Sequence, residues 1–450
     1  MEETEEIIVG RDGVLNLSWG WFLSSTYGVS IILLVFLMFE YNIKSITAIQ
    51  ICCLIFGFTY MVGLGGAVAD FSFFGSFRII TVFSFISLLG TLMLTVLHAT
   101  SAKHQFGVVL VAITLALLGS ESVINSYRFL RRDQFDEPPA AMGFRITHFI
   151  SDKCFAVATL VPFIILEAEY QDWGFLFGIC CAYNVIGLFW FLIGSSVYRP
   201  QTWADKSFKD KDELHEVKYL IKTTPLFLTD IFLHTSSILF NYLIVLQALT
   251  MNRRIGPFVI PASCFGLFSI PTVFLSLVTV DFLIIPRYNK LRISLGIGLS
   301  HVLTILTLVA SALIESRRLH RLADNPGSTM SALWLIIPAA VLGFKFGFDF
   351  KGHRRAFCRK RRLEGITSVV MRTFLVGMGY FVSIIIIQSL VQFTHWLPHN
   401  INDGRLDYVY WMLAAIGCLN FVFHLVFTKS FQFPTFKYYA GDDRDDDEAS

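Results

Sequence analysis

The sequence predicts an all-α membrane protein with about twelve transmembrane helices in two six-helix bundles. Three observations lead there. The chain is 54% hydrophobic and only 16% charged. Its apolar residues gather into runs near the roughly 20 helical residues needed to cross a hydrocarbon core of about 30 Å. These runs fall into two groups of six around one short charged segment, and basic residues concentrate in alternate connections.

In chain order the first six runs are Trp19 to Glu40, Ala48 to Val68, Ile79 to His98, Phe106 to Asn125, Phe144 to Leu166 and Trp173 to Tyr198. The second six are Pro225 to Thr250, Ile260 to Pro286, Ile293 to Ile314, Met330 to Phe350, Thr367 to Gln392 and Leu406 to Phe427. The segments follow: a cytosolic tail over 1–17, a bundle over 18–198, a charged cytosolic linker over 199–217, a second bundle over 218–430, and a tail over 431–450. The first tail is acidic at its start and lacks the basic start and cleavage site of a signal peptide, so the first helix is expected to stay as an anchor. The last is acidic, too polar to bury anything, and reads as disordered. Within the linker, Asp212 to Val217 reads either as linker or as an extension of helix 7.

Orientation comes from the basic residues. Arg128, Arg131, Arg132, Lys206, Lys209, Lys211, Arg287, Lys290 and Arg292 fall in one set of loops, joined by the cluster from Lys351 to Arg362. The other set holds chiefly Arg253, Arg254, Arg317, Arg318 and Arg321, so the positive-inside rule places both termini in the cytosol. With a net charge of +2 and its basic residues beside the membrane, the chain has lipid headgroups as nearest partners, and a nucleic-acid role is discarded. Seven of the eight cysteines lie inside apolar runs and only Cys358 in a loop, so no disulfide framework or zinc spacing emerges. No nucleophile with a base, phosphate-binding glycine loop or metal constellation supports catalysis. The reading is no enzyme, no cofactor and no metal.

Two six-helix bundles joined by a linker resemble the major facilitator superfamily, whose substrate site lies near midplane between the halves. Gly66 and Asp70, followed by Gly75, resemble that superfamily's loop after helix 2. Asp133, Gln134, Phe135 and Asp136 after helix 4 resemble the loop signature of the proton-dependent oligopeptide transporter family, in its plant nitrate and peptide branch. Gly194 to Arg199, Thr250 to Ala262, Gly296 through Glu315 and Arg318, and Trp396 through Leu413 resemble further pieces of that branch in order. The resemblance implies a carrier that alternates between two openings, usually driven by protons, for nitrate, short peptides or hormone-like solutes.

Departures bear on mechanism. The family's helix 1 charges, linked to proton coupling, fall at Trp19, Phe22 and Leu23, and its helix 4 lysine falls at Ile124. Both sides of the charge pair are apolar here, which makes physical sense because removing one partner strands the other at about 3 to 5 kcal/mol while replacing both can be neutral. The helix 7 histidine associated with nitrate in one relative falls at Ser237, with His234 a turn earlier. Glu121 stands where the family usually has glycine.

The candidate cavity residues are Glu121, Asp152, Lys153, Asp230, His234 and Lys345, since a charge at helix centre costs about 2.5 to 3.5 kcal/mol and needs protein or water. Lys345 is expected either to pair with Asp230 or to snorkel to headgroups. With aromatic residues at 15%, an apolar cavity would suit a bulky organic solute better than nitrate. The functional expectation is a transporter of a small organic or anionic solute by alternating access, in the plasma or vacuolar membrane. Its partners are that solute, the bilayer and, as a further candidate, protons. The alternative is a non-transporting sensor or scaffold of the same descent.

Overall fold

A computed structural model of the chain describes residues 2–69, 75–99, 106–133, 158–168, 172–196, 198, 210–280, 293–325, 329–357, 364–398 and 401–430. Twelve α-helices appear among them. The first six are α1 (Glu2–Glu40), α2 (Ser45–Ala69), α3 (Ser76–Ala99), α4 (Phe106–Asp133), α5 (Ala158–Ala168) and α6 (Trp173–Ile193). The second six are α7 (Asp210–Leu249), α8 (Ser269–Val278), α9 (Ile293–Asp324), α10 (Ile336–Phe357), α11 (Glu364–Phe393) and α12 (Leu406–Ser430). Ten helices are long and apolar enough to cross a membrane, and Ala158–Ala168 and Ala262–Val278 are shorter apolar ones.

Several helices outrun their apolar stretches. The expected tail over 1–17 is helical from Glu2, and the expected linker over 199–217 is helical from Asp210. Both starts carry acids, Glu2, Glu3, Glu5 and Glu6 in one and Asp210, Asp212 and Glu213 in the other. Negative charge there is favoured by the helix dipole, and no proline interrupts either segment before the apolar part begins. α4 likewise runs on to Asp133, and α9 to Asp324, absorbing Arg317, Arg318 and Arg321 from what reads as loop.

The eighth run departs the other way. It is a 3-10 helix over Ala262–Phe268 followed by the ten-residue α8, rather than one α-helix. Pro261 stands just before the 3-10 turn and Pro271 in the first turn of α8, where a missing N–H is tolerated. A two-stranded hairpin, Arg254–Ile255 against Phe258–Val259, precedes it, with Gly256 at φ 60° supplying the turn.

Lipid-facing and packed sides are distinct. On α3, Val82, Phe85, Leu89, Leu92 and Val96 recur at alternating spacings of three and four and are exposed, as a face toward hydrocarbon should be. The opposite side packs on α4 and α6. Lipid tails are as apolar as leucine, so this packing depends on close approach and interhelical hydrogen bonds. A Cβ at Gly90 would strike the backbone of Ala116, and one at Gly119 the backbone of Ser87. Ser87 bonds Ser120 at 2.8 Å and accepts from Asn184 of α6 at 3.1 Å. In the second bundle, Gly343 and Gly347, one helical turn apart on α10, face Ser269, Thr272 and Ser276 of α8.

Candidate functional site at the junction of the two bundles

The halves meet mainly along α2 and α11. Small residues set the approach: Gly57 faces Phe381, and Gly377 faces Tyr60 and Met61. Phe56 stacks on Tyr380 with ring centroids 5.4 Å apart, and Gln50 donates to Gln388 at 2.9 Å. Thr373 of α11 donates to Asn125 of α4 at 3.4 Å. A second junction joins α5 to the 3-10 segment before α8, where Ser263 and Cys264 donate to Glu167.

The candidate ionisable residues cluster around this seam. Glu121 on α4, Asp230 and His234 on α7 and Lys345 on α10 are all buried, and α4, α7 and α10 each pack against α11. The backbone approach of α7 to α11 is tight at His234, whose Cβ lies 3.2 Å from the place a Cβ on Gly379 would occupy. Asp152 and Lys153 lie outside the described residues.

Lys345 is 0% exposed, so its ammonium does not reach a headgroup. It pairs with Asp349, one turn on along α10, at 3.5 Å and lies 4.7 Å from the Phe346 ring centroid. Asp230, whose pairing with Lys345 is one of the two expectations beside snorkelling, acts on it favourably through its charge, and Arg372 opposes it. The reason is local: residues four apart share a helix face, so Asp349 reaches Lys345 without any movement between helices.

Trp19, Phe22, Leu23 and Ile124 are buried together in one apolar cluster with Ile80, Val123, Tyr127, Leu188 and Phe191. Trp19 and Tyr127 rings lie 5.0 Å apart, and the Tyr127 hydroxyl donates to the Leu15 carbonyl at 2.5 Å. Trp19, Phe22, Leu23 and Ile124 therefore belong to one common packing unit. Among the motif residues, Gly66 continues α2 and Gly75 adopts φ 78° immediately before α3, a left-handed conformation that suits glycine. Asp133 is the last residue of α4. Asp70, Gln134, Phe135 and Asp136 lie outside the described residues.

Sequence reasoning missed Glu167. It follows the fifth apolar run by one residue and reads there as an ordinary solvated end, whereas in the structure it is buried and meets Ser263 and Cys264 of the other bundle. A carboxylate closing an apolar run beside no basic residue was the available signal. Among the described residues, no group of three or more His, Cys, Asp or Glu is placed to hold a metal ion.

Two helical bundles with ten helices long and apolar enough to cross a membrane describe a multi-pass membrane protein of the major facilitator fold. Residues 201–402 match the model of the POT family, PTR2. The chain is 28% identical to Arabidopsis thaliana Protein NRT1/ PTR FAMILY 2.6, covering 93% of this chain and 90% of that one. The chain is similar to members of this family over most of its length. Its fold is similar to that of an auto inhibited POT family peptide transporter, with a TM-score of 0.75 at 14% identity over 96% of this chain and 99% of that one. It is similar also to a POT family transporter in complex with a thioalcohol conjugated peptide, with a TM-score of 0.70 at 14% identity over 93% and 96%.

Proposed function

We propose that the protein carries a small organic or anionic solute, of the nitrate, peptide or hormone-like kind, across the plasma or vacuolar membrane by alternating access, with both termini in the cytosol. The observation that carries this reading is the set Glu121, Asp230, His234 and Lys345, buried on three helices that all pack on the seam helix α11. Ionisable groups are expensive inside a membrane and are kept where a pathway uses them. The apolar cluster at Trp19, Phe22, Leu23 and Ile124 supports a mechanism that does not use the family's helix 1 charges.

The test is uptake by oocytes expressing the chain, with nitrate, dipeptides and plant hormones supplied at acidic and neutral outside pH and current recorded. Saturable uptake that is lost in Lys345→Ala at equal surface expression is the expected result. No uptake of any member of the panel by surface-expressed protein would favour the sensor or scaffold reading instead.

A further inference from the structure

We propose that Glu167 is a proton-binding latch that holds the two bundles together where α5 meets the 3-10 segment preceding α8. The inference deepens the carrier reading and rests on it, since a latch has work to do only if the bundles separate. Glu167 belongs to the first bundle, and its partners belong to the second. The Ser263 hydroxyl donates to Oε1 at 2.5 Å, and the Cys264 thiol donates to Oε2 at 3.7 Å. Glu167 is 6% exposed, and Ser263 and Cys264 are buried with it. α1 packs on the same 3-10 segment and helps to cover it.

Among the described residues, the charged group that acts on Glu167 is Arg253 of the α7–α8 connection. Its own Nη1 donates to the Ile260 carbonyl at 3.0 Å, which holds it beside the latch without a direct contact. Both carboxylate oxygens are engaged from the opposite bundle, so separating the halves at this end must break both bonds and return Glu167 to water.

Proton binding follows from that difference in surroundings. Burial pushes the Glu167 carboxyl up to about 7, while the Ser263 and Cys264 hydrogen bonds and Arg253 pull it down. In water an ordinary glutamate titrates near about 4.3. The closed form has the higher pKa, so it binds the proton more tightly and closing takes up a proton between those two values. Acid therefore favours the closed latch. Above about 7 Glu167 is ionised in both forms and the pH dependence ends. The open to closed ratio rises about twentyfold from pH 5.5 to pH 7.5 by this linkage.

Cys264 is a native reporter, buried when the latch is closed and released when it opens. The experiment measures its modification by a membrane-impermeant maleimide in the full-length chain in nanodiscs from pH 5.5 to 8.5, with Cys264→Ser identifying the signal. Glu167→Gln keeps the shape but cannot ionise, and dividing by its rate cancels the thiol's own response to pH. The expected ratio of wild type to Glu167→Gln rises about twentyfold between pH 5.5 and 7.5 and then levels. Ser263→Ala, a separate arm, removes one bond and should be modified faster than wild type at pH 5.5. A flat ratio, an unmodified Cys264 at every pH, or a Ser263→Ala rate equal to wild type overturns the latch. A flat ratio with uptake intact leaves the carrier standing. Rising labelling with no uptake leaves the latch and removes the carrier.

Discussion

Arg318 grips Glu315 one turn back along α9, with Nε 2.9 Å from Oε2 and Nη2 2.6 Å from Oε1. Its remaining arm donates to Asn402, at 2.7 Å, in the turn before α12. Both side chains are buried, so a pair made within one helix also ties α9 to a neighbouring connection. Removing one partner leaves a charge without compensation. Glu315→Gln should therefore destabilise the protein by about 3 kcal/mol or more, whereas Glu315→Leu with Arg318→Met should recover most of that loss. Thermal unfolding of detergent-solubilised protein reads both.

At Gly343 the added methyl of alanine would meet the Ser269 carbonyl and the Thr272 hydroxyl of α8. Backbone is the obstacle, so the helices must part. Gly343→Ala should cost about 1 to 3 kcal/mol, while Gly65→Ala, with open space around it, should cost far less. Side-by-side melting curves check the contrast.

Ile124→Lys places an ammonium in the cluster of Trp19, Phe22 and Tyr127. An uncompensated charge there should cost about 3 kcal/mol or more and lower surface expression. Adding Phe22→Glu should recover part of it by giving the charge a neighbour. Quantified surface labelling of the single and double variants decides.

The pairing of Lys345 with Asp349 predicts which charge exchange is tolerated. Lys345→Asp combined with Asp349→Lys should retain more thermal stability than Lys345→Asp combined with Asp230→Lys, because only the first preserves the contact along α10. Equal losses would mean that Asp230 matters as much to Lys345 as its neighbour does.

Much of the fold was legible in the sequence because a bilayer leaves few choices for apolar runs of this length. Ten spans and two shorter apolar helices lie where those runs lie. Helix ends were less legible. An apolar run marks where lipid is, but a helix continues through polar residues when acids sit at its start, as at Glu2 and Asp210, or when a buried pair such as Glu315 and Arg318 supports it. The interrupted eighth run was hidden because hydropathy does not separate 3-10 from α geometry.

The site was legible only in composition. Glu121, Asp230, His234 and Lys345 stand out as ionisable residues in apolar runs, and burial of all four fits that signal. Their partners did not stand out. Asp349 takes Lys345 by helical spacing, and Glu167 meets Ser263 across 96 residues of chain, a relationship that no local pattern encodes.

The cluster built from Trp19, Phe22, Leu23 and Ile124 also limits what those four positions can accept. Each of these side chains forms part of the wall around the others, so a charge introduced at any one position enters an apolar surround that does not solvate it. Two changes made together, one of each sign, therefore meet a smaller barrier there than either made alone.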